Sequence, residues 1–114
     1  MSRSSAAALK EAEAVPVFAA LADTTRLRLL KRLSGEGSLS IRRLSEGTGV
    51  TRQAITRHLY ALGDAGLVRH KRQGREQIWD LDMKRLDKAR QYLDQVAAQW
   101  DAAAARLKAF VEES

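Results

Sequence analysis

The residues best placed to do chemistry lie between positions 51 and 75, TRQAITRHLYALGDAGLVRHKRQGR. At about 100° per residue, Gln53, Arg57 and Tyr60 fall on one arc of a helix, with Arg52 and Thr56 on its flank. Ile55, Leu59 and Leu62 take the opposite arc, the stripe a helix turns toward its own core. The outward groups hydrogen-bond in complementary ways: an arginine fork matches guanine O6 and N7, a glutamine amide matches adenine N6 and N7, and threonine can also touch a thymine methyl. Immediately afterwards Arg69, Lys71, Arg72 and Arg75 cluster around Gln73-Gly74. Cations on such a turn suit phosphate oxygens, which supply affinity and register and leave base choice to the helix. The expected nucleic-acid contacts are therefore Thr51, Arg52, Gln53, Thr56, Arg57 and His58 on the helix, and Lys71, Arg72, Gln73 and Arg75 on the hairpin.

Other chemistries find little support. No Ser/His/Asp arrangement, phosphate-binding glycine loop or zinc-protease motif is present, so neither enzymatic activity nor a cofactor is expected. The sequence has no cysteine, which excludes disulfides and thiolate metal sites. His58 flanks the buried arc and reads as a half-buried group bonding backbone or a phosphate. His70 has no carboxylate or cysteine at ligand spacing. Asp87, Asp94 and Asp101 recur every seven residues and read as a solvated acidic face, a poor match to zinc, which prefers nitrogen and sulfur. No metal is expected.

The elements that must position these groups can be read around them. Thr51 is a natural N-cap and Gly66 a natural left-handed stop, giving a helix from Thr51 to Ala65. The runs from Leu67 to Arg72 and Arg75 to Leu81, separated by Gln73-Gly74, read as a hairpin. Upstream, residues 6–14 have helical composition, and Pro16 fits the first turn of a following segment. Asp23 can cap a helix from Thr24 to Ser34, with Leu27, Leu30 and Leu33 inward, Arg26, Arg28, Lys31 and Arg32 wet, and Gly35 and Gly37 ending it. Ser38-Leu39 reads as extended. Ser40 caps a compact helix from Ile41 to about Glu46, and Gly47 to Val50 bends the chain into Thr51. Two helices joined by about four residues including glycine, the second exposing polar groups, form a helix-turn-helix pattern.

Charge is divided unevenly along the 114 residues. Lys and Arg exceed Asp and Glu by three over residues 1–50 and by five over 51–75, and fall short by two over 76–114, for a net +6. That polarity suits a polyanion on one face only. The amino-terminal stretch has no apolar core of a secretory signal, and no apolar run reaches the roughly 18 residues of a membrane span. A cytoplasmic single domain is expected.

Residues 21–82 resemble the ArsR/SmtB family of winged-helix transcriptional repressors. The motifs that carry the likeness are Leu21-Ala22-Asp23 with Thr25-Arg26-Leu27, then Thr56-Arg57-His58-Leu59, Ala65-Gly66-Leu67-Val68, and Arg72-Gln73-Gly74-Arg75. The resemblance implies a mainly α, winged helix-turn-helix fold that dimerises through terminal helices, with residues 51–65 as recognition helix and 67–81 as wing. It implies repression in place of activation. Metal-sensing members use cysteines near the first helix of the motif or Asp/His clusters on the last helix. Here Ser38 to Gly47 holds neither cysteine nor histidine, and nothing from Met83 onward is histidine. No inducing small molecule is visible.

After Met83 the pattern changes to a heptad. Leu86, Leu93, Trp100 and Leu107 recur every seven residues, with Ala89, Val96, Ala103 and Phe110 three residues after each. A helix from about Met83 to Glu112 would run roughly 45 Å, more than so small a domain covers alone. The expected organisation is N-terminal helices over 1–20, helix-turn-helix and wing over 21–82, and a dimerisation helix over 83–113. Leu86, Leu93, Val96, Trp100, Ala103, Leu107 and Phe110 are the expected interface with a second copy, with part of the seam expected to lie against the first helix of the same chain, where Ala89 and Ala103 would allow close approach. Paired recognition helices would then meet successive major grooves on an inverted repeat. The competing expectation is a dimeric winged-helix module for protein interaction or nonspecific nucleic-acid binding.

Overall fold

The computed structural model describes residues 8–113. Among them the elements run α1 (Glu11–Leu21), α2 (Thr24–Glu36), β1 (Leu39–Ser40), α3 (Ile41–Ser45), α4 (Arg52–Asp64), β2 (Val68–Gln73), β3 (Glu76–Leu81) and α5 (Met83–Glu113). The strands form one antiparallel sheet in the order β1-β3-β2. Leu29, Leu33, Leu44, Ile55, Leu59, Leu62, Leu67 and Trp79 are buried at its centre, joined by Val17 of α1 and Ala89 of α5.

Capping explains most of the boundaries. Asp23 Oδ2 accepts the Arg26 N–H at 3.0 Å, Ser40 Oγ the Arg43 N–H at 3.2 Å, and Thr51 Oγ1 the Ala54 N–H at 3.1 Å. Each satisfies a donor that the first turn leaves orphaned. Gly66, at φ 80°, takes the left-handed position after α4, and Gly74, at φ 65°, does so at the hairpin tip, where a side chain would be strained. The strands pair from Val68–Leu81 to Gln73–Glu76, so the loop is Gly74-Arg75, one residue later than the sequence pattern suggested.

Three local expectations are corrected. Pro16 lies inside α1 and does not open a new segment. The burial of Ala14, Val17 and Ala20 along one face holds the helix through the missing N–H. The part of the first helical expectation that falls on residues 1–7 lies outside the described residues. In α2 the buried pair is Leu29 and Leu33, while Leu27 is exposed. With leucines at four of seven positions, periodicity alone leaves the inward arc undetermined. Gly35 is helical, and α2 stops at Gly37, at φ 87°.

The last helix departs from the compact body. A chain of this length folded compactly has a radius of gyration of about 13 Å; the value here is 18.3 Å, with extents of 66 × 38 × 25 Å. Leu86, Ala89 and Tyr92 pack on the chain's own core, Tyr92 against Phe18 of α1 with ring centroids 5.8 Å apart. Leu93, Trp100, Ala103, Leu107 and Phe110 are exposed, and Val96 is half-buried. Leu86 therefore belongs to the intrachain core, where its heptad position had grouped it with the exposed seam.

Candidate nucleic-acid interface

Helix α4 is set by its three wholly buried residues, Ile55, Leu59 and Leu62. Because these occupy one arc, Arg52, Gln53, Arg57 and Tyr60 are pushed to the surface, with Thr56 half-buried at the edge. The Thr56 hydroxyl donates to the Arg52 carbonyl at 2.8 Å, which leaves its oxygen able to accept from a further donor. Thr51 lies at the amino end, its Oγ1 already engaged as the cap.

His58 is half-buried, as its place beside the buried arc implied, but its partner is a side chain and not backbone. Arg26 Nε–H on α2 donates to its Nδ1 at 3.1 Å, and Asp23 Oδ2 lies 3.8 Å from the same nitrogen. The ring is turned back onto α2, away from the arc that carries Arg57, because its position flanks the buried stripe. With Nδ1 accepting, the ring proton sits on Nε2. The Arg26 N–H, foremost, and the charge of the Arg26 guanidinium hold the Asp23 carboxyl below its ordinary range, against the opposing effect of desolvation. His58 is thus a link between α2 and α4, with its Nδ1 turned inward and not toward the outward set. The spacing of thirty-two residues between Arg26 and His58 leaves no local signal in the sequence.

Arg32, read from sequence as a wet surface cation, also has a structural task. Its Nη1 donates to the carbonyls of Arg43, Leu44 and Glu46 at 2.8, 3.4 and 3.5 Å, and its Nε pairs with Glu36 at 3.0 Å. These carbonyls lie at the end of α3 and just beyond it, where the helix no longer supplies a full set of backbone donors. The guanidinium therefore braces the turn that leads into α4.

On the hairpin, side chains alternate between faces. Val68 is buried, and His70 and Arg72 share its side; Arg69, Lys71 and Gln73 take the other. Lys71 and Arg72, grouped together in the sequence, thus leave opposite faces of the ribbon, while Arg75 sits in the tip. Among the described residues, no ion pair engages Arg52, Arg57, Lys71, Arg72 or Arg75; the pairs are formed by Arg32, Arg43, His58 and Arg90. The outward cations of α4 and the wing are therefore uncompensated. No group of three or more potential metal-ligating residues occurs among the described residues, and no helix there is long and apolar enough to cross a membrane.

Sequence reasoning passed over one cluster here. Tyr60, His70 and Trp79 come together between α4 and the two wing strands. The available signal was register: once the loop is fixed at Gly74-Arg75, His70 falls opposite Trp79.

A short helix, a tight turn, a second helix with an outward polar face and an adjoining two-stranded ribbon define a winged helix-turn-helix domain. The model of bacterial regulatory proteins of the arsR family matches residues 23–70. An ArsR-like transcriptional regulator from Rhodococcus sp. RHA1 is 39% identical and superposes with a TM-score of 0.71, covering 85% of this chain and 91% of that one. The uncharacterized HTH-type transcriptional regulator YuzN of Bacillus subtilis (strain 168) is 40% identical over 68 residues, 54% of this chain and 74% of the relative. A homodimeric winged helix-turn-helix DNA-binding domain from Mycobacterium bovis, a possible ArsR-family regulator, is 30% identical with a TM-score of 0.61, covering 77% of this chain and 80% of that one. The chain belongs to the ArsR family of transcriptional regulators.

Proposed function

We propose that this chain is a homodimeric, sequence-specific DNA-binding repressor that reads an inverted repeat in the cytoplasm. One observation carries the reading: the outward arc of α4 and the adjoining wing hold base-suited and phosphate-suited side chains that form no ion pair with a carboxylate among the described residues. Arg52, Gln53, Thr56 and Arg57 enter the major groove; Lys71, Arg72, Gln73 and Arg75 meet phosphates or the adjacent minor groove. Thr51 sets the start of the reading helix through its cap. Residues 21–82 form the reading unit, residues 1–20 its N-terminal cover and 83–113 the arm that joins two copies. The homodimeric domain from Mycobacterium bovis supports the pairing. Repression follows from occupying a promoter, which needs no surface for contacting a polymerase.

The test is selection of bound duplexes from genomic DNA, followed by titration of the best site against random competitor. Arg57→Ala is expected to cost about 1 to 3 kcal/mol on the selected site and to relax base preference there, whereas Arg75→Ala weakens all duplexes alike and lowers the salt slope by about one. Equal affinity for every duplex would replace this reading with a nonspecific or protein-interaction module. Unchanged discrimination by Arg57→Ala would remove α4 as the reading element.

A further inference from the structure

The wing is a thin lever with a short base. β1 pairs with β3 only at Trp79 and Ile78, so beyond those residues Arg72–Gln73 and Glu76–Gln77 have each other as their sheet partners. A two-stranded ribbon is marginal and readily twisted. From His70 to the tip is about four residues, roughly 13 Å at 3.3 Å per residue. A tilt of about 10° at the base would therefore move Arg75 by about 2 Å, enough to break a hydrogen bond to a phosphate.

At that base three rings meet. Tyr60 of α4 stands edge-on to His70 of β2, with centroids 5.7 Å apart and planes at 82°, and to Trp79 of β3, at 5.4 Å and 86°. His70 and Trp79 are cross-strand partners with centroids 4.4 Å apart. Gln77 Nε2 lies 3.2 Å from His70 Nδ1, holding the imidazole from the opposite strand. Trp79 is fully buried, and its indole N–H has no hydrogen-bond partner among the described residues, so ring packing fixes its position. Near-perpendicular aromatic pairs are directional, which makes them suited to setting an angle.

We propose that Tyr60 is a positioning residue that latches the wing to the recognition helix through His70 and Trp79, and so fixes where the wing cations meet the phosphate backbone. This rests on the reading that α4 and the wing grip one duplex together. Tyr60 is 43% exposed, so the competing role for it is direct contact of its hydroxyl with DNA.

The experiment uses the full chain with Tyr60→Ala, Tyr60→Phe, His70→Ala and His70→Phe. Without DNA, amide hydrogen exchange along Arg69–Gln73 and Glu76–Ile78 is expected to quicken roughly three- to tenfold in both alanine variants and to stay at the wild-type rate in both phenylalanine variants. With the selected duplex, Tyr60→Ala is expected to lose a similar factor in affinity and to lower the salt slope by about one. Adding Arg75→Ala to Tyr60→Ala should then change little, because the contact is already lost. Unchanged exchange in the alanine variants overturns the latch, as does an equal loss of affinity in Tyr60→Phe and Tyr60→Ala, which would make the hydroxyl a DNA contact. Faster exchange in the alanine variants, beside an unmodified chain that binds every duplex with equal affinity, sustains the latch and defeats the DNA reading. The exchange measurement thus decides the one independently of the other.

Discussion

The side chain that most changes meaning between sequence and structure is His58. In the sequence it sits within a run of groove-suited residues, Thr56-Arg57-His58. In the structure its Nδ1 is committed to Arg26. A half-buried guanidinium deprived of its acceptor is costly, so His58→Ala is expected to lower stability by about 1 to 2 kcal/mol while leaving the salt slope of DNA binding unchanged. Urea unfolding together with binding titrated over salt checks both halves; a slope reduced by about one at unchanged stability would instead place the ring on a phosphate. Carboxylates show a related logic. Asp23 is held below its ordinary range chiefly by the Arg26 N–H, and Glu36 chiefly by its hydrogen bond from Arg32. A carboxylate depressed in the folded state contributes stability that is complete above its unfolded value and is lost as pH falls through the folded one. The stability these carboxylates contribute is therefore expected to hold from neutrality to about pH 5 and to fall below about pH 4. Asp23→Asn, which keeps a capping oxygen but cannot titrate, should flatten that fall when thermal midpoints are followed against pH. The caps themselves were legible from sequence, because Asp, Ser and Thr at helix starts act on donors three residues away. The Arg26–His58 and Arg32–α3 bonds were not, because they join residues that only the folded chain brings together.

Among the elements, α4 and α5 show why some patterns read cleanly and others do not. α4 has one apolar residue per turn on one arc, so burial of Ile55, Leu59 and Leu62 follows from spacing alone. α2 has leucines at 27, 29, 30 and 33, and its inward arc is settled by what it packs against. In α5 the heptad and a division of its seam were evident, but not where the division falls: Leu86 and Ala89 are taken up by the chain's own core, while Trp100 is 72% exposed and Phe110 70%. The end of intrachain cover depends on where α1 lies, as the Phe18–Tyr92 contact shows, and no heptad records that. The exposed stretch makes a direct prediction. Burying a large apolar side chain contributes about 1.5 to 3 kcal/mol, and a two-fold interface counts each substitution twice. Trp100→Ala is expected to weaken the proposed dimer by roughly a thousandfold in dissociation constant, measured by sedimentation across micromolar concentrations. Monomer and variant should keep the same helix content, since Trp100 lies outside the core. If Trp100→Ala sediments like the unmodified chain, this seam is not where the copies meet.

For the molecule as a whole, the decisive feature is how rigidly the arm joins the reading unit. β3 ends at Leu81 and α5 begins at Met83, leaving Asp82 alone between them. Asp82 is itself pinned: its N–H donates to the Leu67 carbonyl at 2.9 Å, and its Oδ1 accepts the Lys84 N–H at 3.1 Å. α5 is therefore tied to the segment that leaves α4, and two copies joined along α5 would hold their α4 helices at one separation and one rotation. DNA turns once in about 10.5 base pairs, or 34 to 36 Å, so a rigid pair fits only half-sites with a single centre-to-centre spacing. Widening the natural spacing by about five base pairs puts the second half-site on the far face, and both rigid and flexibly tethered dimers should lose it. Widening it by about ten separates the two cases. A flexible tether would recover binding because both half-sites again face the same side. This chain is expected not to recover, its affinity on the ten-base-pair insert remaining at the level of a single half-site. Competition gel shifts on a spacer series measure it directly, and recovery at ten would mean that the copies are joined through something looser than the α5 helices.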